Sequence, residues 1–117
     1  MTAAIRILLV EDDAAVRDGF RAALEGAGFS VEAVEDGADG LARLSETPGA
    51  FRAVITDVNL PSLSGPDMIA KAGASLGRAA VIYLSGFAAD GAWPGGQVLS
   101  KPIGKDDLVR VVREATR

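Results

Sequence analysis

The chain contains no cysteine and no histidine. Without cysteine, neither disulfides nor thiolate metal sites can contribute, and nothing in the sequence asks for an oxidising compartment, so a cytoplasmic location is expected. Without histidine, the commonest general base and the commonest phosphoryl-carrying side chain are missing, and any histidine chemistry has to arrive on a partner. No apolar run approaches the roughly 18 residues that span a bilayer. The amino end, MTAA, lacks the basic start and long apolar segment of a signal peptide, so no membrane association is expected. An excess of positive charge is absent too. Twelve Lys and Arg stand against 16 Asp and Glu, giving a net charge of −4 and no broad basic footprint for nucleic-acid phosphates. Direct nucleic-acid binding is therefore not expected.

What is present is enough for one ordinary domain: 117 residues, 49% of them hydrophobic, without repeats, linkers or low-complexity tracts. A single domain over residues 1–117 is expected. Residues 5–10 (IRILLV), 51–56 (FRAVIT) and 79–84 (AAVIYL) are nearly continuous apolar runs, the pattern of parallel strands covered on both faces. Residues 30–34 (SVEAV) alternate like an edge strand, and 97–100 (QVLS) is a fifth candidate. Val16, Phe20, Ala23, Leu24 and Ala27 recur at helical spacing and Gly28 stops the run. Leu41 and Leu44 mark a second helix, Ile69, Ala72 and Leu76 a third, and Leu108, Val111, Val112 and Ala115 a last one beginning near Asp106. Such alternation predicts an α/β fold, a doubly wound five-stranded parallel sheet with helices on both faces. Between the fourth and fifth strands, the segment GFAADGAWPGG (86–96) leaves the fourth helix shortened or missing.

Functional groups in such sheets gather beyond the carboxyl ends of the strands. The first strand ends at Glu11 and Asp12, the third at Asp57, the fourth at Ser85 and the fifth at Lys101. Each has an ordinary explanation alone: Asp13 can cap the first helix, Asp57 can start a turn, Ser85 can bond local backbone, and Lys101 can be a solvated charge. Together they ask for a cation, because carboxylates within ~4 Å repel by about 4 kcal/mol per pair at an effective dielectric of 20. Hard oxygen donors with no His or Cys suit Mg²⁺, which keeps positions open for phosphate oxygens. Asp57, on the middle strand, is the best nucleophile, since a carboxylate can accept a phosphoryl group as an acyl phosphate.

The motifs LLVEDD, VITDVNLPSLSG, VIYLSG and LSKPI, in this order and each at the end of its own strand, resemble the receiver domain of two-component response regulators. The resemblance runs from Ile5 to Ala115, and the short SGFAADG connection is similar to receivers of hybrid kinases and of some stand-alone regulators. It implies a flavodoxin-like sheet of order 2-1-3-4-5 and a signalling module, not an enzyme acting on an outside substrate. By that resemblance Asp57 is the phosphoacceptor. Asp12, Asp57 and the Asn59 carbonyl are Mg²⁺ ligands, with Glu11 acting through water. Ser85 and Lys101 contact the phosphoryl group, and Pro102 follows a cis peptide bond. The implied donor is a histidine kinase or a histidine phosphotransfer protein. Docking is expected on the first helix, with Ala14, Ala15 and Arg17 as contact candidates, and the downstream protein partner is not legible.

One departure concerns switching. The family usually carries Tyr or Phe three positions before the lysine, where this chain has Val98, so the family's aromatic switch is not available at that position. The competing readings are a receiver-like scaffold independent of phosphorylation and a small aspartyl-phosphate phosphatase. The phosphatase fits less well, because its nucleophile usually lies on the first strand with a second acid two residues on, and here Asn59 follows Asp57.

Asn59 and Phe87 flank the route by which water would reach an acyl phosphate, and Phe87 offers no hydrogen bond to orient that water. Slow self-dephosphorylation follows. Phe87→Glu is expected to speed the decay of phosphorylated protein, measured as phosphate release; an unchanged rate would refute shielding by Phe87.

Overall fold

The computed structural model describes residues 4–86 and 95–117. Five strands, β1 (Arg6–Val10), β2 (Ser30–Val34), β3 (Ala53–Asp57), β4 (Ala80–Ser85) and β5 (Gly96–Ser100), form one parallel sheet in the order β2-β1-β3-β4-β5. Among the described residues the helices are α1 (Ala14–Gly26), α2 (Gly37–Glu46), α3 (Gly65–Ala72) and α4 (Lys105–Ala115), with a 3₁₀ turn at Gly73–Leu76. None of them is long and apolar enough to cross a membrane. Residues 87–94, which include Phe87 and carry the expectation of a shortened fourth helix, lie outside the described residues.

The two-residue period of β1 splits its apolar run between two buried layers. Ile7 and Leu9 pack with Phe20 and Leu24 of α1 and Leu108 and Val112 of α4, while Leu8 and Val10 pack with Leu44 of α2 and Met68 and Ile69 of α3. β3 is buried along its whole length, as a middle strand covered on both faces must be. The third helix ends at Ala72 because Gly73 turns to a positive φ of 50°, which places Leu76 in the 3₁₀ turn instead of a further helical turn.

Val98 pairs in register with Tyr83 of β4, on the same face of the sheet. Tyr83 is fully buried, and burial pushes its phenol up to about 12. The aromatic ring of this face is thus carried by β4 instead of β5. A Cβ at Gly96 would lie 2.8 Å from that ring, so β5 can pair tightly against it only without a side chain there.

The order of the strands also locates the site. From β1 the chain turns outward to β2 and then crosses back to β3 on the other side of β1, so the loops after β1 and β3 depart in opposite directions. The crevice between them is where such sheets bind ligands.

Two glycines separate helix propensity from packing. Gly26 lies in α1 with open space around it, whereas a Cβ on Gly37, at the start of α2, would collide with the Leu63 carbonyl. Gly26→Ala is expected to stabilise the fold by about 0.5–1 kcal/mol, and Gly37→Ala to destabilise it by roughly 1–3 kcal/mol, both read from urea midpoints.

Candidate functional site

The acids after β1 take three different roles. Asp13 caps α1, its Oδ1 accepting from the Val16 N–H at 3.1 Å. Glu11 is fully buried and turned inward; its Oε2 accepts the Asp13 N–H at 3.1 Å and its own N–H continues the ladder to Val34. Asp12 stays exposed at the rim of the crevice. Arg17, expected as a partner contact, is half-buried and donates from Nη1 to the Glu11 carbonyl at 2.8 Å, fixing the loop that carries the acid pair. Ala14 and Ala15 are exposed as expected.

Asp57 is the last residue of β3 and only 3% exposed. Its backbone is held from several directions. Thr56 Oγ1 donates to its carbonyl at 2.9 Å, the next amide, Val58 N–H, donates to Leu84 at 3.0 Å, and a Cβ on Gly65 would collide with the same Asp57 carbonyl. Gly65 therefore lets the loop after the acid fold back against it before α3 begins at its Ser64 cap. On the next strand Ser85 is buried, and its carbonyl accepts the Lys101 N–H at 2.7 Å, joining the ends of β4 and β5. The Lys101–Pro102 bond is cis.

Lys101 closes the constellation: its Nζ lies 2.7 Å from Asp57 Oδ1 and 3.0 Å from Glu11 Oε1. Asp12, Asp57, Asn59, Ser85 and Lys101 line a cleft of 230 Å³ at the strand ends. The residues picked out along the chain, Glu11, Asp12, Asp57, Asn59, Ser85 and Lys101, are thus brought to one edge. Val98 stands apart within β5. Thr56 supports the site without a signal that would single it out in sequence, and Arg17, expected as a contact candidate, supports it through the Glu11 carbonyl.

Burial and the neighbouring Glu11 carboxylate push Asp57 up to about 8, against the pull of Lys101. Burial also opposes the charge on Glu11, but its interactions with Asp57, the Asp13 N–H and Lys101 outweigh this and hold it below the usual carboxylate range. The Lys101 ammonium, though partly desolvated, is held above its ordinary value by the two acids.

One ammonium does not satisfy three acids. Carboxylate oxygens of Glu11, Asp12 and Asp57 all lie within 4.8 Å of one another, and while Lys101 reaches Asp57 Oδ1, the buried Oδ2 has no hydrogen-bond partner. An all-oxygen donor set with an orphaned buried oxygen fits a hard divalent cation such as Mg²⁺. A second acid group, Glu35, Asp36 and Asp39, has a local explanation: Asp36 Oδ1 accepts the Asp39 N–H at 2.8 Å and the Ser62 hydroxyl at 3.4 Å as the cap of α2.

The family model for the response regulator receiver domain matches residues 7–113. The chain is 34% identical over 115 residues to the response regulator receiver protein CpdR of Brucella abortus (strain 2308), covering 93% of this chain and 94% of that protein. It is 33% identical over 84 residues to the sensor kinase CckA of the same organism, covering 72% of this chain but only 9% of that protein. Among solved structures, the receiver domain of the hybrid histidine kinase CckA is 34% identical, with a TM-score of 0.87 over 96% of this chain and 99% of that one. The chemotaxis response regulator CheY4 of Vibrio cholerae, at 21% identity, shares the fold with a TM-score of 0.85 over 97% of this chain and 99% of that one.

The raised Asp57 gives a signed pH dependence. Its folded value of about 8 lies above the ordinary 3.8, so the folded state binds the proton more tightly and stability falls as pH rises between them. Glu11 is lowered from 4.5 and Lys101 raised from 10.5, so above pH 4.5 and up to 8 neither adds a slope. In metal-free buffer, Asp57→Asn is expected to gain on wild type across this window, on the order of a few kcal/mol by its upper end. Urea unfolding at a series of pH values measures it; parallel pH profiles would exclude the strained carboxylate.

Proposed function

The chain belongs to the response regulator receiver domain family of two-component signalling, and from this we propose that residues 1–117 form one receiver that accepts a phosphoryl group on Asp57 and passes the signal on as a change in partner binding. The observation that carries this reading is the Asp57 carboxylate: buried at the end of the middle strand, with Oδ1 2.7 Å from Lys101 and Oδ2 without a hydrogen-bond partner.

The proposed donor is a phosphohistidine of a histidine kinase or a histidine phosphotransfer protein, since this chain has no histidine of its own. One Asp57 oxygen bonds to phosphorus as the P–N bond breaks, and the imidazole, protonated on its other nitrogen, leaves neutral with the electron pair. Asp12, Asp57 and the Asn59 carbonyl, with Glu11 behind them, would hold Mg²⁺, which when bound supplies the positive charge that keeps Asp57 ionised and balances the phosphoryl oxygens. Lys101, already against Asp57, is placed to follow the new oxygens, and the Ser85 hydroxyl stands at the wall of the same cleft. Asn59 at the rim and Phe87 are the residues proposed to tune hydrolysis.

An 810 Å³ groove between α1 and the start of α4 opens beside Lys101. It is lined by Ala15, Val16, Gly19, Phe20 and Ile103 among others, and suits an apolar helix carrying the donor histidine up to Asp57. Replacing a carboxylate by an acyl phosphate adds roughly one negative charge at a point where Lys101 now bridges two acids, and redistribution of that bridge is the proposed trigger of output. With Val98 in place of an aromatic residue, this output does not run through a ring swinging at that position.

Incubation with acetyl phosphate and Mg²⁺, read by intact mass, tests the proposal. Wild type is expected to gain one phosphoryl increment, and both Asp57→Asn and Mg²⁺ removal to abolish it. No increment in wild type, with or without a phosphohistidine donor, would overturn the phosphoacceptor reading in favour of a scaffold. Turnover of phosphate esters would favour a phosphatase.

A further inference from the structure

At the opposite edge of the sheet, the amino ends of β3 and β4 and the end of α4 surround a cleft of 610 Å³. Its floor is bare because two turns meet there backbone to backbone. Gly49 and Gly77 both have positive φ, 73° and 59°, the Gly49 N–H donates to the Ser75 carbonyl at 2.9 Å, and a Cβ on Gly77 would lie 2.9 Å from the Gly49 Cα. Around this floor stand Arg52, Arg78 and Arg117, with no Asp or Glu side chain among the lining residues.

The cleft gathers arginines that lack an acidic partner. Arg6, Arg21, Arg43 and Arg110 are each in an ion pair with an acid. Among the described residues Arg17, Arg52, Arg78, Arg113 and Arg117 are in none, and three of these five line this one cleft. Capping of a helix end accounts for only one of the three: Arg52 Nη2 donates to the Thr116 carbonyl at 2.8 Å, which completes the end of α4 and fixes that guanidinium at the cleft. Arg78 lies exposed in the turn after the 3₁₀ segment.

We infer that this cleft is a binding site for a small phosphate-chain anion of the di- or triphosphate kind. Guanidinium groups present planar forks of donors that match phosphate oxygens two at a time, which a lone point charge does not. The volume lies within the roughly 300–1,000 Å³ usual for small-molecule sites. The site is distinct from the phosphoacceptor, separated from it by the length of the strands, about 16 Å at 3.3 Å per residue, and it does not depend on that reading. The chemistry is shared by nucleotides and by inorganic pyrophosphate, and the test separates the two sources.

Pyrophosphate and ATP, each in EDTA-containing buffer so that no cation can bridge them to Asp57, would be titrated into the protein by calorimetry and followed by amide chemical shifts. Saturable one-to-one binding is expected, with shifts at Gly49 and Gly77 and none at Ser85 or Lys101. Arg78→Ala and Arg52→Ala should each weaken it about tenfold or more, added salt should weaken it further, and Arg21→Ala should leave it unchanged. Equal affinities would assign recognition to the phosphate chain alone, and tighter ATP binding to a nucleotide. Absence of saturable binding, affinity untouched by both cleft substitutions in folded protein, or shifts confined to Ser85 and Lys101 would overturn the inference.

Discussion

Lys101 bridges Asp57 at 2.7 Å and Glu11 at 3.0 Å, and through this contact the last strand is electrostatically tied to the first and the third. Two buried carboxylates side by side cost energy that hydrophobic packing cannot return, and the ammonium offsets only part of it, leaving Asp57 Oδ2 without a donor. The surrounding structure keeps this unresolved charge in place. Arg17 and the Asp13 N–H fix Glu11, Thr56 and Gly65 fix the backbone of Asp57, and the Ser85 carbonyl fixes the amide of Lys101. Under the proposed function, a site short of positive charge and held at these backbone points suits a cation and a phosphoryl group.

The same topology sorts charge along the strand axis. In a parallel α/β sheet every helix starts at the carboxyl edge of the strands, and there the caps Asp13, Asp36 and Ser64 and the acid cluster meet the positive ends of the helix dipoles. Helix carbonyl ends collect at the opposite edge, where Arg52 and Arg113 reach the carbonyls of Thr116 and Ala27. A net charge of −4 therefore conceals a local excess of guanidinium groups, which a whole-chain count cannot reveal.

Much of this was open to reading from the residues. Continuous apolar runs gave the strands, and the α/β alternation gave the sheet with helices on both faces. The polar residue ending each run marked the edge at which Glu11, Asp12, Asp57, Ser85 and Lys101 meet. These features are local, set by hydrophobic period and by strand ends, so a linear reading recovers them. Arg17 was legible only as an exposed candidate, because the direction of its guanidinium depends on where the Glu11 carbonyl is carried by the turn into α1.

The sequence by itself determined the element order, the two-faced burial of the middle strands and the identity of the charged groups at the strand ends, because each follows from side-chain chemistry within a few residues. Only the tertiary structure decided that Glu11 is turned inward while Asp12 stays at the rim, that Tyr83 carries the ring beside Val98, and that three arginines from distant segments share one cleft. Those outcomes depend on register and on through-space electrostatics between residues as far apart as 11 and 101, and no local pattern encodes them.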